Sequence, residues 1–199
     1  MTLPLEPQAV PETFRTAVEA LRAVLDDSGR AGLALHEVPA PRRLAPHAVA
    51  VAAEVLRDDD EIASGRFVVL HDPDGQEGWR GDTRVVAFVQ AEVDPEMAAD
   101  AALAEVGWSW LTESLEQRGA RYTAAGGTVT RTVSARFGQL SDPDEASEVE
   151  VRASWTPLRG EPGADDEGLQ LVRHLGAWCD LICSTAGLPP PGVAALPRR

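Results

Sequence analysis

The sequence predicts a single α+β domain built on a mainly antiparallel sheet, in the order α-β-β-β-α-β-β-α. Three observations predict it. Three segments carry apolar residues at helical spacing, five carry them in alternation or in short apolar runs, and the strand segments are joined by short connections. Short connections favour antiparallel pairing over parallel crossovers. With 199 residues, 44% apolar and 25% charged, the chain has the size and balance of one globular domain around one core. Residues 1–10 and 189–199 read as tails, and 11–188 as the domain.

Pro11 opens the first helix, because proline is tolerated in a first turn and Glu12 suits the positive end of the helix dipole. Phe14, Val18, Leu21 and Leu25 continue one apolar face, and Gly29 and Gly32 end it. An optional strand runs from Leu33 to Val38, closed by Pro39 and Pro41. His47 to Leu56 alternates and is broken by Asp58-Asp59-Asp60-Glu61. Phe67 to Leu70 is short and apolar on both sides, and His71-Asp72-Pro73-Asp74-Gly75 reads as a turn. Arg84 to Val93 alternates again. Several strands apolar on both sides predict a sheet partly covered on two faces.

Asp94-Pro95 stops that strand, and Asp100 is placed to cap a second helix with Leu103, Val106, Trp110, Leu111 and Leu115 on its buried face. Gly119 ends it. Thr128 to Phe137 and Glu148 to Trp155 are the last two strands. The third helix carries Leu171, Leu175, Trp178 and Ile182 on one face, and Gly187 with Pro189 to Pro191 stops it.

Composition narrows the chemistry. All 18 basic residues are arginine, so Schiff-base enzymes and P-loop nucleotide triphosphatases are excluded. The formal net charge is −14, and nine acids stand against two arginines between Ser141 and Glu167. A phosphate backbone is repelled by such a field, so nucleic acid is not an expected partner, whereas a basic partner is compatible with it. The longest wholly apolar run, Ala48 to Ala53, is far short of a bilayer span, and the first residues lack the pattern of a secretory signal. The expected location is the cytoplasm, with no membrane partner.

No G-x-G-x-x-G, G-x-S-x-G, H-E-x-x-H or C-x-x-C pattern occurs. Cys179 and Cys183 sit four apart on a helix and read as small core residues; no metal and no cofactor are expected. Four residues stand out as interaction or ligand candidates. Arg131 lies on the apolar side of its strand, between Val129 and Val133, where a guanidinium needs a carboxylate or a ligand anion. His71 and Asp72 adjoin the turn, although strand neighbours point to opposite faces. Trp108, two residues from Trp110, is expected to point away from the helix core as an interface anchor.

Several segments together carry a family resemblance: Arg43-Leu44-Ala45-Pro46, Leu70-His71-Asp72-Pro73, Asp94-Pro95-Glu96-Met97-Ala98-Ala99-Asp100 and Trp108-Ser109-Trp110-Leu111. It continues through Gly127-Thr128-Val129-Thr130-Arg131, Arg152-Ala153-Ser154-Trp155-Thr156-Pro157, Ala177-Trp178-Cys179-Asp180-Leu181 and Ala186-Gly187-Leu188-Pro189-Pro190. With them the chain resembles the actinobacterial family known as domain of unknown function 3000, from about Phe14 to Pro191. That resemblance implies no activity, cofactor or active site. The element order also looks like the class I type III secretion chaperones, a likeness of fold that carries no function.

These readings lead to a non-enzymatic protein-binding module, chaperone- or adaptor-like. It would take a basic or extended segment of another protein, or form a homodimer through the helix around Trp108. The alternative is a small-molecule enzyme or anionic-ligand binder using Arg131, with His71 or Asp72 near a pocket mouth.

Overall fold

A computed structural model describes residues 9–26, 30, 32–134, 146–160 and 168–188. Its elements are α1 (Glu12–Arg22), β1 (Leu33–Val38), β2 (His47–Arg57), β3 (Asp60–His71), β4 (Thr83–Glu92), α2 (Pro95–Ala99), α3 (Leu103–Gln117), β5 (Tyr122–Ser134), β6 (Ala146–Pro157) and α4 (Leu171–Thr185). The strands form one sheet in the order β1-β2-β3-β4-β6-β5, with every neighbouring pair antiparallel. The fold is α+β on a single antiparallel sheet, as the sequence predicts, and the optional strand Leu33–Val38 is real.

Four details differ from the sequence expectation. α1 ends at Arg22 rather than at Gly29, which lies outside the described residues; Val24 and Leu25 pack on the core from the turn that follows. β3 is twelve residues long rather than four. The acidic cluster at its start is a hairpin turn: Arg57 pairs with Asp60, and Asp58 and Asp59 between them both have positive φ, 54° and 71°. A two-residue hairpin needs that backbone to match the strand twist. Finally, Asp94 caps a short helix, accepting a hydrogen bond from Glu96 N at 2.8 Å, where the sequence shows only a stop. The tails at 1–8 and 189–199, and Ala135 to Phe137, lie outside the described residues.

One face of the sheet meets the helices. Val49, Val51, Val55, Phe67, Val69, Val85, Val89, Val149, Val151 and Trp155 are buried there, joined by Leu21 of α1, Leu111 and Leu115 of α3, and Leu175, Trp178 and Ile182 of α4. Gly65 makes the close approach of α4 fit: a Cβ there would stand 2.8 Å from the Trp178 ring and 2.7 Å from the Phe88 carbonyl. Trp178 Nε1 donates to that carbonyl at 3.2 Å. Trp155 Nε1 donates to His174 Nδ1 at 3.0 Å inside the core. Burial pushes the His174 imidazole down to about 4, so it is a neutral acceptor at physiological pH.

Among the described residues the opposite face is covered at one end, where Ala50, Val68 and Leu70 pack with Ala45 and Trp79. Elsewhere it mixes polar and apolar side chains: Ala52, Arg66, Phe88, Arg152 and Thr128 form one cross-strand row. There the Arg152 guanidinium lies 5.1 Å from the Phe88 centroid and binds Glu150. The expected two-faced cover is therefore local.

Candidate functional site

An open antiparallel sheet has two edges, and each is a row of backbone donors and acceptors ready to pair. This chain treats its edges differently. β1 has six residues, includes His36 and Glu37, and runs into Pro39 and Pro41. Short length, charge and proline all discourage pairing. β5 has thirteen residues and pairs, among the described residues, only with β6. It has no proline and a single charged residue, Arg131. A register shift between Thr123 and Gly126, with Ala124 at φ 50°, confines irregularity to its start and leaves Gly126 to Ser134 in regular register with β6.

Exposed apolar side chains occur on β5 and on the two helices packed over it. Val133 is 54% exposed on β5, Met97 43% on α2 and Val106 39% on α3. α2 packs over both β5 and β6, and α3 packs over β5. Gly107 brings α3 down onto Val129, to which a Cβ at that glycine would come within 3.2 Å.

Two of the four candidates from the sequence meet here. Trp108 is half-buried and packs against the core. Its ring lies over Gly127 of β5, where a Cβ would stand 2.8 Å from it. Trp108 and Trp110 occupy opposite flanks of the buried stripe, so the expectation that Trp108 points away from the core is corrected. Arg131 is on the same face of β5 as Gly127, four residues along, or about 14 Å. Its guanidinium donates to the carbonyls of Ala98, at 3.0 Å, and Asp100, at 2.6 Å, at the end of α2. The partner that the sequence asks for is thus neither carboxylate nor anion but the open end of a helix.

His71 and Asp72 lie elsewhere. His71 pairs with Thr83 at one end of β4, whereas Arg131 pairs with Val149, which is level with Ala91 at the other. Eight residues of strand, about 27 Å, separate those levels, so His71 and Arg131 share no site. His71 is buried beneath α1, with the Phe14 ring stacked 4.9 Å from it and the His47 ring 6.1 Å away. Thr83 Oγ1 donates to Asp82 at 2.8 Å, so His71 Nδ1–H is the donor in its 2.9 Å contact with Thr83. Burial lowers the His71 pKa against the pull of Asp82. Asp72 serves the turn, accepting from Asp74 N and Gln76 Nε2. None of the four residues lines the groove of about 630 Å³ between α1 and the start of α4.

Cys179 and Cys183 are free and buried, and burial pushes the Cys179 thiol up to about 12. Among the described residues no three His, Cys, Asp or Glu side chains cluster as metal ligands, and no helix is long and apolar enough to cross a membrane.

The family model described as protein of unknown function (DUF3000) matches residues 10–194. The chain belongs to this family. No curated protein and no solved structure matches it. Within the family segments, Gly127 to Arg131 is the heart of the β5 edge, and Trp108 is the ring that covers it. The sequence reading did not foresee that edge. Its signal was the Gly126-Gly127 pair, since glycine inside a strand marks a close approach of something else, here Trp108.

Proposed function

We propose that this DUF3000 protein is a non-enzymatic protein-binding module that works by strand addition, accepting an extended segment along the outer edge of β5. One observation carries the reading: β5 is a long, nearly uncharged edge strand without the devices that protect β1. Main-chain pairing supplies the binding, and the exposed Val133 on the strand supplies apolar contact along it. Between the two partner types that the sequence suggests, the edge favours the extended over the basic one. From Gln117 to Ser141 the sequence contains no acid. The setting is the cytoplasm, where the two buried cysteines stay as thiols.

The test is native mass spectrometry of untagged protein taken gently from its own host, for wild type and for the double variant Thr130→Lys/Val133→Lys. Both positions are exposed, so the lysines block the edge without entering the core. Wild type is expected to travel with a second polypeptide chain that the variant loses. Equal complements in the two samples, or a wild-type protein that carries no other polypeptide and stays monomeric up to about 100 µM, would refute strand addition at β5.

A further inference from the structure

Building on the strand-addition reading, we infer that the segment filling the β5 edge is β5 of a second copy, antiparallel and centred on Arg131, joining two six-stranded sheets into one of twelve.

The sequence of the edge is its own complement. Thr128-Val129-Thr130-Arg131-Thr132-Val133-Ser134 reads nearly the same in both directions. An antiparallel copy centred on Arg131 therefore sets Val129 against Val133, Thr130 against Thr132 and Thr128 against Ser134, twice over. Side chains alternate between faces, so the threonine and serine pairs fall on the polar face and the valine pairs on the helix face. Threonine–threonine and threonine–serine pairs hydrogen-bond across strands, and facing β-branched valines pack on the pleated surface. The exposed Val133 thereby gains an apolar partner. A foreign strand would have to supply this alternation; a second copy has it already.

Charge and space agree. A protein of net charge −14 repels its own copy over most of its surface, but β5 itself carries no acid, and the nearest two in the sheet, Glu148 and Glu150 one strand in, are bound by Gln90 and Arg152. The one unfavourable pair is Arg131 against its copy. Each guanidinium already donates through Nη1 to the Ala98 and Asp100 carbonyls of its own α2, whose partial negative charge lessens the conflict. α2 covers both β5 and β6, so its axis lies about half a strand spacing inside the edge. Across the dyad the two α2 helices would then stand about 10 Å apart, an ordinary helix-packing distance.

Seven paired residues span about 24 Å, and sheet plus helix layer about 20 Å, so the contact buries about 1,000 Å² in all. That is the lower limit for a specific interface. The dimer is expected to dissociate on dilution through the micromolar range.

Sedimentation velocity of the purified protein from about 1 to 100 µM is the first measurement, with a rise from 21.2 kDa to twice that mass expected. Val133→Lys is expected to stay monomeric throughout. The register is read by cysteine pairs. Arg131→Cys should oxidise to a covalent dimer through the dyad, and a mixture of Thr130→Cys with Thr132→Cys should cross-link without touching Arg131. The native cysteines are buried and leave a clean background, and both kinds of strand pair place Cα atoms within disulfide reach. A monomer at 100 µM, a dimer that Val133→Lys leaves intact, or cross-linking that ignores this register would overturn the proposal. If the purified protein is monomeric but the host-derived protein carries a different polypeptide that Thr130→Lys/Val133→Lys releases, the second copy is refuted and strand addition stands. If neither partner is found, both fall.

Discussion

Lowering the pH from 7.5 to 5.0 should cost this protein about 2 kcal/mol of stability through His174 alone. The imidazole is buried and accepts the Trp155 indole N–H at Nδ1, and burial holds its pKa near 4 against an ordinary 6.5. The unfolded chain therefore takes up a proton as the pH falls through 6.5, whereas the folded chain resists until about 4. The stabilisation is complete above pH 6.5 and is lost as the pH falls toward 4. At pH 5.0 the folded form forgoes about 1.5 pH units of protonation, worth about 2 kcal/mol at 1.36 kcal/mol per unit. Other groups titrate over the same range, so the informative quantity is a difference between wild type and His174→Asn. Asparagine keeps an acceptor near Nδ1 and removes the titration. Urea unfolding followed by circular dichroism at both pH values gives the four stabilities, and pH 5.0 stays above the isoelectric point of about 4.6. Wild type should lose about 2 kcal/mol more than His174→Asn. Equal losses, within about 0.5 kcal/mol, would mean that protonation of His174 is not opposed by its burial.

Two further substitutions test the backbone. Gly65→Ala places a Cβ against the Phe88 carbonyl and the Trp178 ring, so it should destabilise by about 3 kcal/mol, seen as a lower urea midpoint; an unchanged midpoint would show that α4 is free to move off the sheet. Asp59→Gly relieves a residue at φ 71° in the β2–β3 hairpin and should stabilise by about 0.5 kcal/mol, read the same way; a loss would mean that the aspartate side chain holds the turn.

How much of this was legible in the sequence depends on periodicity. β4 alternates from end to end and β6 from Ser147 to Trp155, one buried position and one not, and both could be read directly. β3 could not, because Ser64, Gly65 and Arg66 interrupt its apolar pattern; Gly65 is there to admit Trp178, a contact from residues far away in the chain. α2 escaped notice because a five-residue helix has too few turns to show a period. That omission also hid the partner of Arg131. The sequence placed the guanidinium on the helix face of its strand, but the carbonyls that receive it belong to the helix that was not foreseen. For Trp108, the wheel angle from Trp110 was sound, yet both rings flank the buried stripe and neither marks its centre. The exposed edge itself is a matter of strand order, which pattern alone does not determine.

That strand order also bears on how the chain assembles. β1 to β4 follow one another as hairpins and can pair as they are synthesised, but the next strand made, β5, has no place beside β4. The slot belongs to β6, which pairs with β4 on one side and β5 on the other. Until residues beyond Ala146 exist, β4 presents an open edge and β5 has no neighbour in the sheet. Neither the β4 edge nor the inner edge of β5 can therefore be paired before β6 is made. In a nascent chain paused between β5 and β6 the β4 edge and both edges of β5 are unpaired, and β5, with few residues to discourage pairing, is the more exposed to mispairing.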